Sequence, residues 1–159
     1  MITYVKGNLI EMAKEGRFDL ILHGCNCQHA MTSGIAKTIA DVFPSAQVAD
    51  FKTWSGDIKK LGDFSVATEP DDNGLNFLII NLYTQYEPGA HAEYAAIRAS
   101  LKAMKAAFVV GPFAEDGLSN QAIGLPWIGA GIGGLDIEYV KQIIEEELGS
   151  YDVTMVEFG

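Results

Sequence analysis

The sequence predicts an α/β protein: a three-layer α/β/α sandwich around a mixed, mostly parallel central sheet. Three observations lead there. Apolar runs of strand length alternate with stretches of helical apolar spacing along the chain. One hairpin interrupts the alternation, where Leu61–Thr68 and Asn76–Tyr83 flank the turn-forming Pro70-Asp-Asp-Asn-Gly74. Two apolar runs open through glycine-bearing loops onto helices, and in such sheets ligands gather at the carboxyl ends of parallel strands.

The elements follow in order. Ile2–Val5 reads as a short strand, Lys6-Gly7-Asn8 as a turn and Leu9–Lys14 as a short helix. Phe18–His23 is a continuous apolar run, the pattern of a strand buried on both faces. Ile35, Ile39, Val42 and Phe43 recur at helical spacing, and Pro44 closes that helix. Ala46–Trp54 extends the helical stretch before the hairpin. Tyr94, Ile97, Leu101, Met104 and Phe108 form one helix stripe. Gly111–Asn120 is a loop, Ala122–Ile128 a strand, Ile137–Leu148 a helix and Asp152–Phe158 a final strand. Glu145-Glu-Glu147 reads as a solvated helix face.

The 159 residues predict one domain spanning 1–159, with 48% hydrophobic and 20% charged residues. A formal net charge of −10 argues against non-specific binding to nucleic acid or an acidic membrane. It also means that an anionic ligand must be held by backbone N–H dipoles and not by a basic field. No apolar stretch approaches the length of a spanning helix, and the first residues lack a secretory pattern. Cys25 and Cys27, two apart, read as free thiols in a reducing, cytoplasmic setting.

The strongest chemical signal is the run Leu125-Pro-Trp-Ile-Gly-Ala-Gly-Ile-Gly-Gly-Leu-Asp136. Gly129, Gly131, Gly133 and Gly134, interleaved with Ala130 and Ile132, leave bare backbone N–H groups before a helix, a ready anion site. A second junction joins His23-Gly-Cys-Asn26 to Ser33-Gly-Ile-Ala36. Two such loops in one chain point to a ligand with two phosphates. Neither is a P-loop, because no Gly-Lys-Ser/Thr follows, and neither fits the dinucleotide fingerprint of Gly-x-Gly-x-x-Gly.

His23, Cys25, Cys27 and His29 carry zinc-ligand chemistry, but the Cys-x-Cys spacing is tight and no second ligand pair exists elsewhere. No metal and no cofactor are predicted. A cysteine phosphatase is unsupported, since no arginine follows the thiols at the required spacing. Buried packing suits both cysteines better. His23, at a strand end, is either a catalytic acid or base or a hydrogen-bonded structural residue. Asp136 is placed to cap the last helix, and a capping aspartate also faces a ligand held at that helix end. Asn8 shapes a turn, and Asn26 either recognises a sugar hydroxyl or satisfies backbone groups. Tyr83 and Tyr86, before Pro88-Gly89, either stack on a ribose or base or pack in the core.

Taken together, Lys6-Gly7-Asn8-Leu9, His23-Gly-Cys-Asn26, Ser33-Gly-Ile-Ala36, Tyr94–Met104 and Pro126-Trp-Ile-Gly-Ala-Gly-Ile-Gly-Gly134 resemble the macrodomain family, an ADP-ribose binding and processing fold. The resemblance covers nearly the whole chain. It is nearest to the ALC1-like branch, which holds ADP-ribose 1″-phosphate phosphatases and a terminal ADP-ribose protein glycohydrolase, and to phage-encoded proteins like them.

The resemblance implies ADP-ribose or ADP-ribose 1″-phosphate as ligand. Asn8 stands where the family commonly has an adenine-binding aspartate, beside Leu9. Asn26 matches a ribose-side asparagine. Ser33, Gly34 and Ile35 form the first phosphate loop, and Gly129, Ala130, Gly131, Ile132, Gly133 and Gly134 the second. The glycohydrolase's lysine nucleophile has no counterpart in Tyr83-Thr-Gln-Tyr86, and its aspartate falls on Gly133. The phosphatase type fits better, with Asp136 activating water or attacking phosphorus and His23 protonating the leaving oxygen, or the two roles exchanged. A hydrolase acting on ADP-ribosylated protein or nucleic acid, and a non-catalytic reader of ADP-ribose, are the other two implied readings.

Overall fold

The computed structural model describes residues 2–32, 34–110, 117–128 and 134–159. Its elements run β1 (Ile2–Gly7), α1 (Leu9–Lys14), β2 (Leu20–Asn26), α2 (Gly34–Val42), α3 (Pro44–Phe51), a 3₁₀ turn (Ile58–Lys60), β3 (Phe64–Pro70), β4 (Asn76–Gln85), α4 (Tyr94–Val110), β5 (Ala122–Leu125), α5 (Ile137–Leu148) and β6 (Asp152–Phe158). The six strands form one sheet in the order β1-β6-β5-β2-β4-β3. Every pairing is parallel except the β3–β4 hairpin, so the sheet is mixed and mostly parallel as the sequence predicts.

Two apolar layers cover the sheet. On one face Leu20, Leu22, Ile80 and Leu82 pack against Ile97, Leu101 and Met104 of α4 and Val140, Ile143 and Ile144 of α5. On the other face Ile21 and Ile79 pack against Leu9, Ile10 and Ala13 of α1, Ile39 of α2 and Ala46 of α3. Alternate residues of β2 and β4 thus serve opposite layers, which is why these strands read as unbroken apolar runs.

Several boundaries differ from the sequence reading. β2 starts at Leu20 and continues to Asn26, so its apolar run carries polar residues to the sheet's carboxyl edge. β5 stops at Leu125, before Pro126, since proline lacks the N–H a ladder needs. Pro44 ends one helix and opens the next, standing in its first turn where no N–H is required. The expected loop over 111–120 lies partly outside the described residues, at 111–116.

Glu147 corrects the solvated-face expectation. It is 7% exposed and lies on the buried stripe of α5 with Val140, Ile143, Ile144 and Leu148. Its carboxylate meets Arg98 at 2.8 Å, Lys105 at 2.9 Å and Lys102 at 3.4 Å, all on α4. Burial alone would raise this carboxyl, but the hydrogen bonds from Lys105 and Arg98 outweigh it and hold it below its usual range. Among the described residues no helix is long and apolar enough to cross a membrane.

Candidate functional site

The cleft forms where neighbouring strands send their helices to opposite faces. β2 leads to α2 on one face, and β5, its neighbour, leads to α5 on the other. β2 and β5 pair only at Leu20↔Ile123 and Ile21↔Gly124, so their carboxyl ends separate into a crevice. The ends of β1, β6 and β4 border it.

One end of the crevice is an apolar cavity of about 220 Å³ lined by Gly7, Leu9, Ile35, Pro126, Trp127, Val156 and Phe158. None of these residues is charged. Trp127 stacks on Tyr4 with ring centroids 5.8 Å apart, and its Nε1–H is buried without an acceptor among the described residues. Leu9 is fully buried, while Asn8 caps α1 by accepting from the Glu11 N–H at 3.1 Å. The acceptor can only be the amide oxygen of Asn8, so its NH₂ is left for any other partner.

The middle of the crevice is built by Asn26 and the start of α2. Asn26 Oδ1 accepts from the Gln28 N–H at 2.9 Å, and its Nδ2 donates to the Ala30 carbonyl at 2.8 Å. Both polar atoms of Asn26 thus brace the loop after β2. His29 then adopts φ 57° and its Nε2 lies 2.8 Å from the Thr53 carbonyl. β2 has ended by then, so the shared face of His23, Cys25, Cys27 and His29 does not form. Gly34 opens α2 with φ 60°, followed by Ile35 at the cavity wall. Ser33, and Gly129, Ala130, Gly131, Ile132 and Gly133 of the second loop, lie outside the described residues.

At the far end Gly134 adopts φ 80°, and a Cβ there would stand 3.0 Å from the Cβ of Ala90. A side chain at this position would therefore push the loop after β4 away from α5. Asp136 follows, exposed, with its Oδ1 accepting from the Glu138 N–H at 2.8 Å as the cap of α5. The backbone N–H of Asp136 donates to the Tyr94 hydroxyl at 3.0 Å, tying the start of α5 to the start of α4.

His23 is not at the cleft surface. It is wholly buried, with Nε2 2.6 Å from Asn81 Oδ1 and Cys25 Sγ 3.7 Å from the ring. Burial lowers its pKa to about 4, against smaller opposing effects of Asn81 and Asp50. The ring is therefore neutral near neutrality and has no open path to a ligand. The ring lies inside the layer beneath α3, against Asn81 of β4, and not at the cleft where a proton donor is expected.

His23 belongs to a polar layer beneath α3 that sequence reading missed. Asn81 also donates to the Ala46 carbonyl and to Ser65 Oγ, each at 3.0 Å. Tyr83 donates to Asp50 at 2.8 Å, and Lys60 lies 3.6 Å from the same oxygen and 4.5 Å from the Tyr83 ring centroid. The thiols are free and buried, and burial pushes Cys25 up well above its usual value and Cys27 up to about 11. Neither is a ready nucleophile. Among the described residues no group of three His, Cys, Asp or Glu side chains could hold a metal ion.

Among known proteins, the family model "Macro domain" matches residues 22–144 of this chain. An Enterobacteria phage T4 protein, described as an uncharacterized 17.5 kDa protein in the tk-vs intergenic region, is 33% identical over 99% of this chain and 97% of its own length. Among solved structures, the macrodomain of Mycobacterium tuberculosis DarG aligns with TM-score 0.74 and 26% identity, covering 99% of this chain and 97% of that one. Thermosipho africanus DarTG in complex with ADP-ribose aligns with TM-score 0.72 and 16% identity, over 99% of this chain and 41% of that one, a likeness of fold alone.

Proposed function

The chain belongs to the macrodomain family, and from that membership we propose that it binds ADP-ribose and releases the terminal phosphate of ADP-ribose 1″-phosphate. The observation that carries the reading is the cleft. An uncharged apolar cavity and a strand-end loop braced by Asn26 share one edge of the sheet. A nucleotide fits that division, its base in the cavity beside Asn8 and Leu9, its diphosphate on backbone N–H groups of Ser33, Gly34, Ile35 and Gly129–Gly134, and its distal ribose beyond Asn26.

Fixed N–H donors would stabilise charge developing on phosphorus. Asp136, exposed at the end of the second loop and anchored by Tyr94, activates the attacking water. His23 positions β2 against β4 through Asn81 and so acts on the site indirectly. Hydrolysis through a lysine nucleophile is disfavoured, since the sequence carries no lysine between Lys60 and Lys102.

The second reading, removal of ADP-ribose from a modified macromolecule, follows from the same membership of the macrodomain family. Side-by-side assays on ADP-ribose 1″-phosphate and on ADP-ribosylated protein and DNA separate the two, and calorimetry with ADP-ribose tests binding without chemistry. Asp136→Asn keeps the helix cap, because asparagine caps about as well as aspartate. It is expected to lower phosphate release by about 10²-fold or more while leaving ADP-ribose affinity nearly unchanged. Wild-type turnover in this variant would reduce Asp136 to a cap.

A further inference from the structure

We propose that His91 contacts the terminal phosphate group and protonates the leaving oxygen, a part that His23 cannot play from inside the sheet. The proposal rests on the phosphatase reading above. Imidazole is the side chain best suited to give and take protons near neutrality. The sequence holds three histidines. His23 is buried against Asn81, and His29 is half-buried against the Thr53 carbonyl. The His91 side chain is exposed, and its ring has no hydrogen-bond partner among the described residues.

Exposure alone would mean little if the loop were loose, but this loop is braced from within. Gln85 donates through Nε2 to the carbonyls of Glu87 at 2.7 Å and Gly89 at 2.9 Å. Gln85 also forms an antiparallel bridge with Ala92, which is 8% exposed. The His91 N–H donates to the Gly89 carbonyl, and the Glu93 N–H to the Thr84 carbonyl, each at 2.9 Å. The imidazole therefore projects from a turn held at both ends by β4.

That turn meets the start of α5. Ala90, the residue before His91, is the one a Cβ at Gly134 would strike, and Asp136 lies two residues beyond Gly134. Tyr94, three residues after His91, accepts from the Asp136 N–H. One exposed imidazole and one exposed carboxylate are thus presented from two elements locked together at the far end of the cleft from the apolar cavity. This is the end at which the distal ribose and its phosphate would lie.

The step balances on these two groups. A water oxygen bonds to phosphorus as the bond from phosphorus to the ribose 1″ oxygen breaks. Asp136 takes the water proton and His91 gives its proton to the departing oxygen. ADP-ribose and inorganic phosphate leave, and the proton returns from Asp136 to His91 through solvent.

The test compares wild type, His91→Gln and His91→Ala. Both variants are expected to release phosphate from ADP-ribose 1″-phosphate about 10²-fold more slowly, with ADP-ribose affinity by calorimetry nearly unchanged. Imidazole in the buffer should restore part of the His91→Ala turnover. In wild type, the His91 ring resonances should move on titration with ADP-ribose 1″-phosphate. Wild-type turnover in His91→Gln, or ring resonances that ignore the ligand, overturns the role of His91 while the phosphatase reading stands. No phosphate release by the wild type overturns that reading and this inference together.

Discussion

Burying an imidazole beneath α3 makes the fold sensitive to mild acid. His23 titrates near 6.5 in an unfolded chain and at about 4 in the folded one. Between those values the unfolded state binds the extra proton, so stability is full above pH 6.5 and is lost as pH falls toward 4. A shift of this size is worth on the order of 2–3 kcal/mol over the window. Denaturant unfolding at pH 7 and pH 4.5 should show that loss in the wild type. His23→Gln can keep a hydrogen bond to Asn81 yet carries no titrating ring, so its stability should fall less over the same range. Equal pH slopes in the two proteins would mean that other groups drive the acid limb. Sequence alone leaves His23 undecided between acid catalyst and structural residue. What settles its placement is three-dimensional, namely that β2 continues to Asn26 and that Asn81, on the neighbouring strand, comes within 2.6 Å.

Elements whose signal is local are legible in the residue pattern itself. The α4 stripe reaches the core with Ile97, Leu101, Met104 and Phe108, while its first member, Tyr94, stays exposed and accepts from the Asp136 N–H, and the hairpin turns where Pro70–Gly74 places it. What is not legible comes from partners distant in sequence. Glu147 looks like one of three solvated glutamates until Arg98, Lys102 and Lys105 of α4 close over it. Lys60 and Asp50, ten residues apart in the chain, are both buried and meet at 3.6 Å, a pairing that no local pattern announces. The same non-local logic explains a glycine that no turn requires. Gly124 sits inside β5, where a Cβ would stand 2.7–2.8 Å from the ring of Phe18. The approach of β5 to the chain entering β2 thus needs a missing side chain. Gly124→Ala is expected to destabilise by about 1–3 kcal/mol through overpacking. Phe18→Leu removes part of the obstruction, so the double variant should be more stable than the sum of the single losses. Chemical denaturation of the three variants checks this, and full additivity would show that the ring and the strand do not compete.

The molecule as a whole would repel the diphosphate ligand proposed for its cleft. A net charge of −10 faces a diphosphate, and the cavity at the cleft's end contributes no charged side chain to offset it. Attraction must then come from short-range dipoles at loop and helix ends, which salt screens little at contact. Repulsion comes from charges spread over the surface, mostly farther away than the Debye length of about 10 Å at 0.1 M salt, and salt removes it efficiently. The two terms therefore respond to ionic strength in opposite proportion to a site built on lysine and arginine. For such a basic site, added salt weakens binding. Here, raising salt from about 20 mM to about 300 mM should strengthen ADP-ribose binding by about two- to fivefold, with the change carried by faster association. Calorimetry and stopped-flow fluorescence across that range measure both quantities. An affinity that falls steeply with salt would mean that cationic side chains hold the diphosphate, and the assignment of the two backbone loops as the anion site would fail.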